Sequence, residues 1–186
     1  MSRPNWFLAF PLDGAFLLEL PAPPAQLRRF HPEDVHMTLA FLGGCGEEAA
    51  LRALAALDEQ LARLRPPALD STLAEVVPMG SRRRYSALSA LLGDGRAEAT
   101  ALLTQLRDPL MDAAHCQRDT RDAKPHITLA RPKGRATDAD RAAGIEWASS
   151  LELGHIHARL DRIALYTWSE QRIERLFRIV AERRLG

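Results

Sequence analysis

The chain of 186 residues carries 25 basic and 24 acidic side chains, so its net charge of +1 supplies no global pull toward nucleic acid or an anionic membrane. At 46% hydrophobic and 26% charged residues it has the composition of an ordinary globular protein, long enough to bury a core without disulfides or metal. No stretch approaches the ~20 apolar residues of a membrane span, and the N-terminus shows no basic region followed by an apolar run and a cleavage site, so a cytoplasmic protein is expected.

In chain order, Asn5–Leu12 reads as a first strand, ended by Pro11 and the Asp13-Gly14 turn. Ala15–Leu20 is short and apolar, fitting either a strand or a helical turn, and Pro21, Pro23 and Pro24 enforce an irregular link. His31–Asp34 is a turn leading into a strand over Val35–Leu42, which Gly43 to Gly46 ends. Glu47–Leu64 is the clearest helix: Leu51, Leu54, Leu57, Leu61 and Leu64 fit a helical stripe, and Glu47 and Glu48 suit its first turn. Ala68–Val77 and Tyr85–Leu92 read as strands around the Pro78-Met79-Gly80 turn, and Arg96–Ala114 as a second helix that Pro109 should distort. A polar loop over Cys116–Ala123 precedes a strand through His126, then come a turn at Pro132–Ala136 and a third helix over Asp138–Ala148. Leu151–Leu153, Ala158–Thr167 and Glu174–Arg183 read as final strands. Strands outnumber helices and often follow one another directly, which favours α+β with antiparallel sheets over a doubly wound parallel sheet. Cys45 and Cys116 have no C-x-x-C neighbour and read as free thiols in a reducing compartment. Lys124 and Lys133 are the only lysines; so uniform an arginine bias points to genome composition more than to phosphate contacts.

One short stretch occurs twice. His36-Met37-Thr38-Leu39-Ala40 and His126-Ile127-Thr128-Leu129-Ala130 lie 90 residues apart in strand-like contexts. Successive side chains on a strand point to opposite faces, so each copy presents an imidazole and a hydroxyl together, backed by apolar residues that can pack into a core. Facing one another, the two copies would make a site of two histidines and two threonines. Two imidazoles are sufficient for phosphoryl transfer at ribose without metal: one, neutral, takes a proton from the attacking oxygen, and the other, protonated, gives one to the leaving oxygen. Thr38 and Thr128 would hydrogen-bond the non-bridging phosphate oxygens. Arg131 could add charge, although strict alternation puts it on the opposite face unless the strand ends before it. Zinc ligand spacings, a Gly-x-Ser-x-Gly elbow, a P-loop and a Gly-x-Gly-x-x-Gly loop are all absent, so neither metal nor cofactor is expected.

The strings Asp34-Val35-His36-Met37-Thr38-Leu39-Ala40-Phe41-Leu42-Gly43 and Lys124-Pro125-His126-Ile127-Thr128-Leu129-Ala130-Arg131 resemble the paired signature of the two-histidine phosphoesterase superfamily, most closely its bacterial and archaeal 2'-5' RNA ligase branch, the RNA 2',3'-cyclic phosphodiesterases. The resemblance implies one bilobal α+β domain over residues 1–186, pseudo-two-fold symmetric, with two antiparallel sheets around a central groove and helices outside. It also implies metal-independent opening of a terminal 2',3'-cyclic phosphate to a 2'-phosphate, with ATP-independent 2'-5' joining as the reverse chemistry. By resemblance His126 is the base and His36 the acid, although the residues alone allow either order. RNA 3' ends are the implied partners of a monomer; a small nucleotide, such as an ADP-ribose cyclic phosphate or a 2'-5' oligoadenylate, is the alternative substrate, and a non-catalytic RNA-end binder the alternative role. The family usually has a helix where this chain has its short proline-rich segment, so the nucleoside could be held differently.

Beyond the motifs, Arg83, Arg84 and Tyr85 are candidate RNA contacts, the arginines steering phosphate and the tyrosine stacking a base. Arg118, Arg121 and Lys124 could cap the groove, and Tyr166 and Trp168 could stack a base or belong to the core. His31, His115, His155 and His157 have no motif around them and read as surface or structural residues.

Overall fold

The structure, a computed structural model, describes residues 3–186. Strand β1 (Trp6–Pro11) is followed by a single 3-10 turn (Ala15–Leu18), a three-residue strand β2 (Leu27–Arg29) and a second 3-10 turn (Pro32–Asp34). Strand β3 (His36–Gly43) carries the first motif and leads into helix α1 (Glu47–Leu64). Strands β4 (Leu69–Pro78) and β5 (Leu88–Leu92), helix α2 (Arg96–Ala113), strand β6 (His126–Pro132) with the second motif, and helix α3 (Asp138–Ser149) follow. Strands β7 (His157–Leu160), β8 (Arg162–Trp168) and β9 (Phe177–Arg184) complete the fold.

All strand pairs are antiparallel, in the order β7-β4-β5-β6-β3-β1-β8-β9, with β2 added to β6. The sheet curls into an α+β half-barrel of two lobes, β3-β1-β8-β9 and β6-β5-β4-β7. The two motif strands are the innermost of each lobe and meet at the Met37↔Ile127 pair. Met37, Leu39, Ile127 and Leu129 all point to the side where the helices lie, in one core with Ala50, Ala53 and Leu57 of α1 and Leu103, Leu106 and Leu110 of α2. The histidines therefore occupy the opposite, open face.

Local chemistry explains most boundaries. Helix α3 begins with a capping box: the Thr137 hydroxyl accepts the Asp140 amide at 3.2 Å and the Asp140 carboxylate accepts the Thr137 amide at 2.8 Å. Helix α1 has Glu47 and Glu48 in its first turn and ends at Arg65 in a left-handed conformation. Pro109 lies inside α2, which runs on to Ala113. Two expectations about strands are corrected. Leu151–Leu153 is loop, packed by Leu153 against the core, and the expected strand over Ala158–Thr167 is divided at Asp161 into β7 and β8. The stretch after the prolines contributes β2, because Gln26 O and Phe30 N find partners in Lys133 N and Leu129 O beside β6.

Tyr85 is the main correction among the candidate contacts. It is 1% exposed, sits in the helix-side core, and donates its hydroxyl to the Arg141 carbonyl at 2.9 Å. The Arg141 guanidinium returns a hydrogen bond to the Tyr85 carbonyl at 2.5 Å and lies over its ring. Tyr85 thus anchors α3 and has no face to offer a base. Gly144 serves the same contact: a Cβ there would come within 2.8 Å of Leu27 Cδ2 and closer still to Tyr85 Oη. Gly144→Ala gains at most ~1 kcal/mol of helix propensity but overpacks a filled site at ~1–3 kcal/mol. Urea unfolding should show a net loss of stability of up to about 2 kcal/mol; a stabilised Gly144→Ala would refute this packing.

Candidate active site

With Met37 opposite Ile127 on antiparallel strands, His36 stands across from Thr128, and Thr38 across from His126. Four polar side chains thereby meet on the open face, each half-buried. The residue at i−2 holds each imidazole in the same way: His36 Nδ1 lies 2.6 Å from the Asp34 carbonyl, and His126 Nδ1 lies 2.6 Å from the Lys124 carbonyl. A carbonyl only accepts, so each neutral ring carries its proton on Nδ1 and leaves Nε2 free as an acceptor. The Thr128 hydroxyl lies 3.3 Å from that of Ser89, which is fully buried on β5 opposite Thr128. Ser89 thus belongs to the site, and no motif marked it.

Strict alternation would send Arg131 to the core. The register shows why it does not. Ser89 pairs with Thr128 and Leu88 with Ala130, so Leu129 is an extra residue in β6, and the side-chain alternation resets. Arg131 consequently shares the histidine face, with its guanidinium 5.2 Å from the Phe30 ring centroid. Strand β3 does the same at Leu39: Ala9 pairs with Thr38 and Leu8 with Ala40, which turns Phe41 outward. The two strands show one pattern, in which the histidine and threonine are half-buried, the residues at +3 and +4 from the histidine are buried, and the residue at +5 is exposed.

The walls differ. Around His36 stand Phe7 (ring centroids 4.9 Å apart), Tyr166 (5.5 Å), Phe177 (5.6 Å) and Phe30 (6.4 Å). Phe7 and Tyr166 are stacked on each other at 4.9 Å and buried with Ala9 and Ala164 in a small second core. The aromatic Tyr166 is therefore a wall beneath the histidine, while Trp168 lies under Arg172 at the sheet end. Asp34 closes this corner. Its carboxylate is buried and accepts the Leu176 and Phe177 amides at 2.8 and 3.0 Å, so one residue fixes the imidazole through its carbonyl and the start of β9 through its side chain. On the β5 side, the cross-strand neighbour of His126 is the aliphatic Leu91.

Burial disfavours protonation of both histidines. For His36 it outweighs the Asp34 carbonyl, which favours the proton, and together with the charges of Arg131 and His126 it brings the pKa to about 4. His126 shifts in the same direction, chiefly by burial, with Lys124, Arg121 and Arg131 adding to it. Of the remaining candidates, Arg83 and Arg84 are exposed in the β4–β5 turn. Arg118 is bound to Asp112, and Arg121 pairs with Asp119 at 2.7 Å. Among the described residues no three His, Cys, Asp or Glu side chains come together as metal ligands would.

The pKa shifts give a pH dependence of stability. A histidine whose folded pKa lies below its unfolded value leaves the unfolded chain binding more protons between the two, so stability falls as the pH drops from about 6.5 to about 4. Urea midpoints measured from neutral pH down through this window should decline, and His36→Phe, which takes no proton, should remove the His36 share. An equally steep decline in His36→Phe would show that burial of this imidazole is not the cause.

A profile of the 2'-5' RNA ligase superfamily matches residues 19–172. No curated protein matches the chain. Among solved structures, TT0787 of Thermus thermophilus superposes with a TM-score of 0.71 at 21% identity over 97% of both chains. E. coli LigT complexed with 3'-AMP gives 0.69 at 21% identity over 99% of both, and a structure described as a phosphoesterase gives 0.68 at 21% over 100% of this chain and 99% of that one. These likenesses are of fold. The match over most of the chain, together with two His-x-Thr strands meeting on one open face, places the protein in the 2'-5' RNA ligase superfamily of two-histidine phosphoesterases.

Proposed function

We propose that the protein is an RNA 2',3'-cyclic phosphodiesterase that opens a terminal cyclic phosphate to a 2'-phosphate, with 2'-5' joining as the reverse chemistry. The observation that carries this is the pair of imidazoles, each locked by a backbone carbonyl on Nδ1 and each offering Nε2 to the same open face. In the hydrolytic direction, His126 Nε2 takes a proton from water, the water oxygen bonds to phosphorus, and the bond from phosphorus to the 3' oxygen breaks. His36 Nε2 delivers a proton to that departing oxygen. His36 is neutral in the empty site. A phosphodiester anion beside it favours the charged form and opposes the desolvation that burial imposes. Thr38 and Thr128 donate to the non-bridging oxygens, Ser89 orients the Thr128 hydroxyl, and Arg131 meets the phosphate charge.

Residues 1–186 act in this reading as one bilobal unit and as a monomer, in a reducing cytoplasm that suits the free Cys45 and Cys116 thiols. Among the described residues no helix is long and apolar enough to cross a membrane. Arg83 and Arg84 serve as outer charges that attract an RNA strand. A second reading, a small nucleotide substrate at the same site, is favoured by the ligands of the E. coli LigT structures, which hold 3'-AMP, NADP+ and ATP.

The test is purified protein in excess EDTA with an RNA oligonucleotide ending in a 2',3'-cyclic phosphate. A 2'-phosphate product is expected. His36→Gln and His126→Gln should each lower kcat by about 10²–10⁴, and Thr38→Val or Thr128→Val by about 10²–10³. A 3'-phosphate product, or near-normal turnover in either histidine variant, would overturn this mechanism. Turnover confined to small cyclic nucleotides would move the substrate to the second reading.

A further inference from the structure

Strand β2 places a second cation beside Arg131. In the β2–β6 register Arg28 stands directly opposite Arg131, with Leu27 opposite Pro132 and Arg29 opposite Ala130. Residues opposite one another on antiparallel strands share a face, so Arg28 lies on the histidine face. Burial agrees: Leu27 and Ala130 belong to the helix-side core, whereas Arg28 and Arg131 are exposed. The neighbouring Arg29 shows what a structural arginine does in this segment. Its guanidinium donates to the Leu17, Leu20 and Pro21 carbonyls at 2.7, 2.9 and 2.7 Å. Among the described residues Arg28 has no such partner, carbonyl or carboxylate, and Arg131 meets only the Phe30 ring. Arginines elsewhere on the surface meet carboxylates, as Arg118 meets Asp108 at 3.6 Å and Arg159 meets Asp70 at 2.7 Å. Like charges directly opposite one another destabilise a sheet. With no carboxylate of the chain beside them, an incoming anion is what would offset this pair.

Position says which anion. Strand β2 lies beside Ala130–Pro132 and β3 beside Ile127, and the Phe30 amide donates to the Leu129 carbonyl at 2.9 Å between them. The two strands thus follow one another along the same edge of β6, and Arg28 lies past His36 in the direction of Arg131. Its row is three residues beyond Thr128, roughly 10 Å along the strand. The charge of Arg131 is felt by both imidazoles, so Arg131 serves the reacting phosphate. The arginine stem of Arg28 shortens the remaining gap to about the span of one ribose with its 5' carbon.

We propose that Arg28 binds a second phosphate of the substrate, the one on the 5' oxygen of the nucleoside whose cyclic phosphate lies between the histidines. The proposal rests on the cyclic-phosphate reading and adds a substrate preference to it. Two sources carry that group: the internucleotide linkage of an RNA end and the terminal 5'-phosphate of a small nucleotide. A nucleoside 2',3'-cyclic phosphate with a bare 5' hydroxyl lacks it. A guanidinium takes a phosphate through a fork of parallel N–H donors, which a lysine ammonium copies only as a point charge.

The experiment compares wild type, Arg28→Ala and Arg28→Lys on adenosine 2',3'-cyclic phosphate, on its 5'-phosphorylated form and on an adenosine dinucleotide ending in a 2',3'-cyclic phosphate. Wild type should prefer the substrates that carry the second phosphate. Arg28→Ala should reduce that preference, read as a ratio of kcat/KM values, roughly ten-fold or more, and Arg28→Lys should restore part of it. A fall for the dinucleotide alone supports the proposal with the RNA linkage as the source, and a fall for the phosphorylated mononucleotide alone supports it with a terminal phosphate. No preference in wild type, an unchanged ratio in Arg28→Ala, or a loss shared equally by all substrates overturns it. Should wild type turn over none of them, the cyclic-phosphate reading fails separately, and calorimetric titration with adenosine 3',5'-bisphosphate and adenosine 3'-monophosphate still decides the role of Arg28. A ratio of affinities lowered roughly ten-fold in Arg28→Ala supports the second-phosphate site, and an unchanged ratio or no binding overturns it.

Discussion

The open face depends on one constraint imposed twice: an additional residue in each central strand, Leu39 in β3 and Leu129 in β6. Without it, alternation would carry Arg131 into the core, where an unpaired guanidinium is costly, and would leave Leu42 on the polar face. With it, each motif strand serves both sides of the sheet. The residues at +1, +3 and +4 from the histidine fill the core, while the histidine, the threonine and the residue at +5 stay on the open face. Such irregularities are frequent beside active sites because they re-aim a side chain without breaking the sheet. Here the flanking pairs, Ala9↔Thr38 and Ser89↔Thr128, remain in register.

The environment of His36 is a balance of opposing effects. Four aromatic rings remove water from the imidazole and push its proton affinity down, and the Asp34 carbonyl restores part of it. The same residue, by accepting two amides near the start of β9, draws Phe177 against the ring, and the Arg175–Glu33 ion pair at 2.7 Å reinforces that corner. Positioning and desolvation of His36 therefore share a single anchor. At His126 the neighbour on β5 is aliphatic, and the residue that holds the ring, Lys124, is a cation whose charge opposes the imidazolium.

The sequence made the helices and the motif strands legible because their signals are local: a leucine stripe in α1, and β-branched and apolar runs around each histidine. It was less informative where tertiary contact decides the outcome. Strand β2 is three residues long and exists because β6 offers an edge. Tyr85 followed three arginines in what read as an exposed strand entrance, but its ring fills space left by Gly144, far along the chain on α3. Asp34 looked like an ordinary turn residue, because the amides it accepts lie 142 and 143 residues on. The irregularity in β6 did leave a trace. Leu129, Ala130 and Arg131 in succession cannot alternate with the core on one side, and a charge predicted to face inward after a polar pair is a reason to look for an inserted residue.

Two lobes of like topology thus present unlike walls. Internal symmetry supplies two locked imidazoles and two hydroxyls, which is what in-line displacement at phosphorus needs on its entering and leaving sides. Symmetric walls would give the two histidines similar proton affinities, and acid and base would then be interchangeable. The aromatic corner around His36 and the aliphatic one beside His126 make the surroundings of the two imidazoles unequal. The two +5 positions differ as well, phenylalanine on β3 and arginine on β6. The two lobes share the His-x-Thr-Leu-Ala strand and its inserted residue, and differ in what surrounds them. On the His36 side that surrounding is itself a small core of Phe7, Ala9, Ala164 and Tyr166, separate from the one the helices cover.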